Sequence, residues 1–194
     1  MKNVLLILGH PSKNSFNASL LEVYKKGAME AGAEIKTIYI GELVFNPNLA
    51  EGYNKREENI LEDDLKDAQS KISWASHIVF IYPTWWGSLP AVTKGFFDRV
   101  FLPGFAFKYH KGNPLPEKLL KGRSLRVIST MDTPKFWFNL IYGRAEYKML
   151  KQLVFAFVGF SPVRFTTIGS ARTNTPADRE KWINKIYKMG LKLL

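Results

Sequence analysis

Five short apolar runs, each followed by a stretch of helical periodicity or by the next connection, most limit what this chain can fold into. "NVLLIL", "EIKTIYI", "HIVFIYP", "SLRVIST" and "PVRFTTIG" are rich in β-branched and aromatic residues, have breakers nearby, and read as strands. "HIVFIYP" is apolar throughout, as a central parallel strand must be; "EIKTIYI" alternates, which suits an edge with one wet face. Between them, Phe16, Leu20, Val23, Tyr24 and Ala28 recur at three- and four-residue steps, an amphipathic helix closed by Gly32. Ile60, Leu61, Leu65, Ala68 and Ile72 form the stripe of a second helix, and "AVTKGFFDRVF" is a third. Residues from about Trp137 to Phe157 read as a less regular fourth. The last helix has Thr175 as N-cap, Pro176 at its first position and Asp178 at its third, with Trp182, Ile186, Met189 and Leu193 as its buried stripe.

Strands alternating with helices predict an α/β fold, a parallel sheet covered by helices on both faces. Short right-handed crossovers favour a doubly wound five-stranded sheet of the flavodoxin-like order 2-1-3-4-5. Its 194 residues suit one domain, 1–194. A polar connection, "GELVFNPNLAEGYNKREEN", and an aromatic, Pro- and Gly-rich excursion at about 101–122 interrupt the alternation. Ligands of such sheets sit beyond the carboxyl ends of the strands, at the switch point beside the first and third. The loops "GHPSKNSFN" and "YPTWWGSLP" follow those two strands and face one crevice.

The first loop leads into a helix N-terminus, whose free N–H groups and partial positive charge suit a phosphate. His10, Ser12, Lys13, Ser15 and Asn17 add donors and charge; the plainer reading is a cap by Asn14 or Ser15 on a helix that starts at Phe16. The loop is neither GxGxxG nor a Walker motif. In the third loop Trp85 and Trp86 offer stacking area between Pro83 and Pro90, and Gly87 lets a ligand approach the backbone. A planar heterocycle with polar edges fits there; so does one tryptophan plugging the sheet and the other at a subunit interface. Only three histidines are present, His10, His77 and His110, without metal-ligand spacing, so no metal is expected. His77 reads as structural, and Glu62, Asp63 and Asp64 as a solvated helix face. There is no GxSxG elbow.

A net charge of +11 points to an anionic partner or simply a lysine-rich surface. The lysines are scattered and no nucleic-acid motif is present, which argues against nucleic acid. With no cysteine, there is neither a disulfide nor a thiolate site, as in a reducing cytosol. "MKNVLLILGHP" reads as a first strand rather than a signal, and the longest later apolar run, "LVFAFVGF", is far short of a membrane span. A cytoplasmic protein is expected.

The segments "GHPSKNSFNASL", "YPTWWGSLPAVTKGFFDRVFLPGFAF" and "TNTPADREKW" resemble the NAD(P)H:quinone oxidoreductase family of flavoproteins, and the resemblance runs over nearly the whole chain. It implies a flavodoxin-like fold, a tightly bound flavin and a homodimer. On that basis His10, Ser15, Phe16 and Asn17 hold the phosphate-bearing tail of the flavin, and Pro83, Thr84, Trp85, Trp86 and Gly87 pack along its isoalloxazine ring. Phe105, Ala106 and Phe107 match an aromatic stretch that lines the substrate pocket from the partner subunit. Ser129, Thr130, Met131 and Asp132 stand where better-known members have Thr-Thr-Gly-Gly, and reach the flavin by position. The tyrosine and histidine that follow in those members have no assigned counterpart; Trp137 and Tyr142 lie nearby. The string "SFN" favours FAD, with FMN the alternative.

The resemblance implies an exchange through one site: NAD(P)H, the co-substrate, gives a hydride to flavin N5 and leaves, and a quinone, azo or nitroaromatic acceptor takes its place. A second reading is a flavin-binding regulatory or ancillary subunit of a membrane transporter, its basic surface facing a peripheral membrane-protein partner. A one-electron carrier fits least, since such carriers are typically acidic and shorter.

Overall fold

A computed structural model of the chain describes residues 2–49 and 61–194. Ile60, assigned to the second helical stripe, and part of the polar connection lie outside the described residues. The strands are β1 (Asn3–Leu8), β2 (Glu34–Tyr39), β3 (His77–Pro83), β4 (Phe107–Lys108), β5 (Glu117–Lys118), β6 (Ser124–Thr130) and β7 (Val163–Ile168). The helices are α1 (Phe16–Glu30), α2 (Asp63–Trp74), α3 (Ala91–Val100), α4 (Lys135–Leu140), α5 (Ala145–Met149), α6 (Ala156–Val158) and α7 (Pro176–Leu191).

The main sheet runs β2-β1-β3-β6-β7 and is parallel throughout. Counting only its own strands, that is the order 2-1-3-4-5. β4 and β5 form a separate antiparallel ribbon inside the 101–122 excursion. Side chains of β1 alternate strictly between two cores, as a period of two requires. Val4, Leu6 and Leu8 meet Leu20, Leu21 and Ile186 of α1 and α7. Leu5 and Ile7 share the other core with Leu65 and Ile72 of α2 and Phe96 and Phe97 of α3. β2 is the edge its alternation implies, and β3 is buried along its whole length.

α1 and α7 touch backbone to backbone. A Cβ at Gly190 would overlap the carbonyl oxygen of Tyr24, and one at Gly27 that of Tyr187. The cap of α7 forms as its sequence implies: Thr175 Oγ1 accepts from the Asp178 N–H at 3.2 Å, and the Asp178 carboxylate accepts in return from the Thr175 N–H. Ser15, not Asn14, caps α1, accepting from the Ala18 N–H. Only Ile186 of the α7 stripe is fully buried; Trp182, Met189 and Leu193 pack partly buried against the same core.

His77 is structural. Buried at the start of β3, it lies 2.8 Å from Ser124 Oγ and 3.2 Å from the Tyr24 hydroxyl, and burial pulls its pKa down to about 3. The solvated face at residues 62–64 is corrected in part. Asp63 stays outside, paired with Lys66. Asp64 accepts the Val44 N–H at 2.7 Å, and Glu62 accepts that of Asn46 and pairs with the buried Arg99 at 2.6 Å. The connection after β2 folds back over the start of α2, and spacing within a helix says nothing of that. The fourth helical region is broken where Gly143 and Arg144 take left-handed φ of 55° and 56°, and it continues through a wide-turned segment, Leu150–Phe155. Among the described residues no helix is long and apolar enough to cross a membrane.

Candidate active site

The site grows from the carboxyl ends of β3 and β6. β3 ends at Pro83, and the Thr84 N–H donates to Thr130 O at 2.8 Å, carrying the pairing with β6 one residue further. Trp85 and Ser88 then exchange two backbone hydrogen bonds of 2.9 and 3.0 Å. Trp86 and Gly87 occupy the tip, at φ of 52° and 71°, as a tight turn with two left-handed residues requires. Glycine takes that conformation freely; for tryptophan it is strained, and such strain gathers at binding sites. The turn leaves the Trp86 indole wholly in solvent and Trp85 about half exposed.

Beside this turn opens a cavity of about 700 Å³. Residues 83–87 form one wall, residues 130–133 the floor, and Phe138, Tyr142 and Glu146 complete the lining, the Glu146 carboxylate reaching Thr84. The floor is fixed from β7: the Met131 N–H donates to Ile168 O at 2.9 Å, and Asp132 Oδ1 accepts the Arg172 N–H at 2.9 Å. Ser129 does not reach the cavity; its hydroxyl is tied to Thr167.

The first loop meets this wall without lining the cavity. The His10 ring lies edge-on to Trp85, centroids 5.9 Å apart, with Nδ1 held 2.9 Å from the Ser12 N–H. Ser15 is occupied by its own turn and cap, and Arg179 lies over the Phe16 ring. Lys13 is paired with Glu42 at 2.6 Å and stacked on Tyr39. Asn17 is the informative residue. Buried in the first turn of α1, it accepts from Thr130 Oγ1 at 2.8 Å, while its Nδ2 has no partner among the described residues. An orphaned amide donor beside a helix N-terminus is what an anionic group needs.

Phe105, Ala106 and Phe107 do not line this cavity in their own chain. Ala106 is fully buried and Phe105 packs against the core. Phe107 borders a second, apolar cavity of about 420 Å³ with Tyr109, Leu153 and Phe157.

Sequence reasoning missed Glu146. Only 5% exposed, it accepts from the Tyr82 hydroxyl at 2.9 Å, and Thr84 Oγ1 lies 3.2 and 3.0 Å from its two oxygens. Burial pushes its carboxyl above the usual range, against the opposing pull of those two hydroxyls. Tyr82 was the available signal: a phenol near the end of an apolar buried strand needs a partner.

The family described by its flavodoxin-like fold matches residues 2–189. An "uncharacterized NAD(P)H oxidoreductase" of Haemophilus influenzae is 31% identical over 131 residues, 66% of this chain and 64% of that one. The chain spans only about half to two thirds of the length of the first curated relatives it matches. The crystal structure of Smu.1420 from Streptococcus mutans superposes with a TM-score of 0.85 at 28% identity, covering 98% of this chain and 99% of that one. An NAD(P)H:quinone oxidoreductase from Methanothermobacter marburgensis gives 0.82 at 25% identity, covering 99% and 96%.

Proposed function

The chain belongs to this flavodoxin-like fold family, and with its relatives to the NAD(P)H:quinone oxidoreductases; from that premise we propose that it passes two electrons from NAD(P)H through a flavin to quinones or related azo and nitroaromatic acceptors. The observation that carries this reading is the strained turn that stands Trp86 clear of the protein beside a 700 Å³ cavity at the switch point of the sheet.

The residues present fit a flavin. The orphaned Asn17 amide and the N-terminus of α1 suit its phosphate-bearing tail, with His10, Ser15 and Phe16 around it. Residues 83–87 offer a flat apolar wall, and Thr130, Met131 and Asp132 a floor with polar edges. FAD is favoured over FMN by the "SFN" string. When bound, the flavin supplies hydride acceptance and donation at N5. The protein's part is to hold the ring, shield one face with indole, and present each substrate in turn at the other. Ser129, on β6, steadies the floor through its hydroxyl bond to Thr167 of β7, outside direct contact.

The whole chain acts as one domain, working in the cytoplasm as a homodimer. Tyr142 at the first cavity and Tyr109 and Leu153 at the second are exposed, as are Trp137 and Ile141, and a partner subunit would cover them. Phe105 and Phe107 would then border the partner's cavity, with Ala106 supporting them from within. The test is to purify the protein, identify released flavin by mass, and measure initial rates with NAD(P)H and a benzoquinone. Bound flavin and parallel double-reciprocal lines are expected; intersecting lines would sink the shared site.

A further inference from the structure

We propose that Glu146, acting through the hydroxyl of Thr84, supplies the proton that accompanies hydride transfer to the acceptor, an inference that rests on the oxidoreductase reading above. Thr84 lines the cavity and its Oγ1 lies within hydrogen-bond reach of both Glu146 oxygens. A hydroxyl has one proton to give. With Glu146 ionised, Thr84 donates inward to the carboxylate and offers only lone pairs to the cavity. With Glu146 protonated, Oε2–H donates to Thr84 Oγ1, Oε1 still accepts from Tyr82, and the Thr84 proton is released toward the cavity. The charge of one buried carboxyl thus sets whether the cavity wall donates or accepts.

The step balances. The Oε2–H bond breaks as its proton passes to Thr84 Oγ1, and the former Thr84 proton passes to the acceptor oxygen. Glu146 is left as a carboxylate and regains its proton from solvent by the same path. One hydride, with its electron pair, comes from NAD(P)H through the proposed activity; hydride and proton together convert a quinone to a hydroquinone.

The surroundings raise the Glu146 carboxyl above its ordinary range. From β3, Tyr82 faces it, itself buried and bonded to it. From the next loop comes Thr84. Asp132 from the β6–α4 loop and Tyr142 share the cavity. On α5, Tyr147 and Lys148 follow in sequence, and Glu146 has no ion-pair partner among the described residues. Burial without a cation raises a carboxyl pKa.

The test compares wild type with Glu146→Gln, Thr84→Val and Thr84→Ser as flavin-loaded proteins, timing flavin reduction by NAD(P)H and reoxidation by a benzoquinone separately. E146Q and T84V are expected to slow reoxidation by about 10²-fold, within the span of general acid catalysis, and to slow reduction far less. T84S, which keeps the hydroxyl, restores the reoxidation that T84V loses. Wild-type reoxidation falls as pH rises through the raised Glu146 pKa, and E146Q is flat. Infrared spectra of the proteins as purified give a readout that does not depend on turnover: a protonated-carboxyl stretch that persists to higher pH than an ordinary glutamate allows, lost in E146Q and kept in T84V. Reoxidation and a pH profile unchanged in E146Q, with flavin bound and bleached by NAD(P)H, would overturn the relay alone. Should E146Q not fold, an unchanged T84V does the same. A protein that takes up no flavin would overturn the oxidoreductase reading, and the relay with it.

Discussion

Trp86 exposes its whole side chain at the tip of a turn and stabilises nothing in the described fold. Replacing it with alanine is therefore expected to change unfolding free energy by no more than about 0.5 kcal/mol. If it stacks on a planar ligand, the same change weakens flavin retention by about ten-fold, since aromatic stacking contributes roughly 1–3 kcal/mol. Urea unfolding and flavin titration of the one variant separate the two roles. The wall that carries Trp86 was legible because two tryptophans between prolines on a connecting loop demand a cover. Glu146 was not legible, because an isolated glutamate in an irregular helical stretch looks like any solvated residue. Only the arrival of Tyr82 from β3 and Thr84 from the next loop gives it partners, and those are contacts 64 and 62 residues apart.

Single elements explain where the reading of the sequence held and where it did not. β3, β6 and the start of α7 fall where apolar runs and the Thr175–Asp178 pair place them, because each signal is local. The two-residue strands β4 and β5 have no period to detect. The break at residues 143–144 depends on a left-handed arginine that no spacing announces. The α1–α7 contact is tight enough that Gly190→Ala forces the helices apart. The cost expected is about 1–3 kcal/mol, read as a lower urea midpoint. At the start of β3, His77 gives a pH signature. Its folded pKa of about 3 lies below the unfolded value near 6.5, so the unfolded chain binds more protons between them. The stabilising effect is fully present above about pH 6.5 and is lost as pH falls toward 3, at up to roughly 1.4 kcal/mol per unit. Stability of His77→Gln measured by urea across that range is expected to show a shallower slope.

Over the molecule as a whole, charge and exposed apolar surface shape the encounter with substrates and partners. On the proposed function, a net charge of +11 would draw anionic nicotinamide nucleotides inward, and salt would screen that attraction over about 10 Å at 0.1 M. The ratio kcat/KM is expected to fall with ionic strength, more steeply for NADPH than for NADH because of its extra phosphate. An equal, flat response for both would assign the lysines to solubility alone. The proposed homodimer requires a solution mass near twice the 22.2 kDa of the chain by light scattering. The parallel five-stranded order was legible from alternation and short right-handed crossovers, whereas subunit assembly leaves no period in a sequence. The most direct test is an anaerobic titration of the purified protein with NAD(P)H, followed by its visible spectrum. The expected result is a yellow protein that bleaches fully at one equivalent per flavin and regains its colour with benzoquinone. A colourless protein that takes up neither FAD nor FMN would contradict it and return Trp85 and Trp86 to an interface.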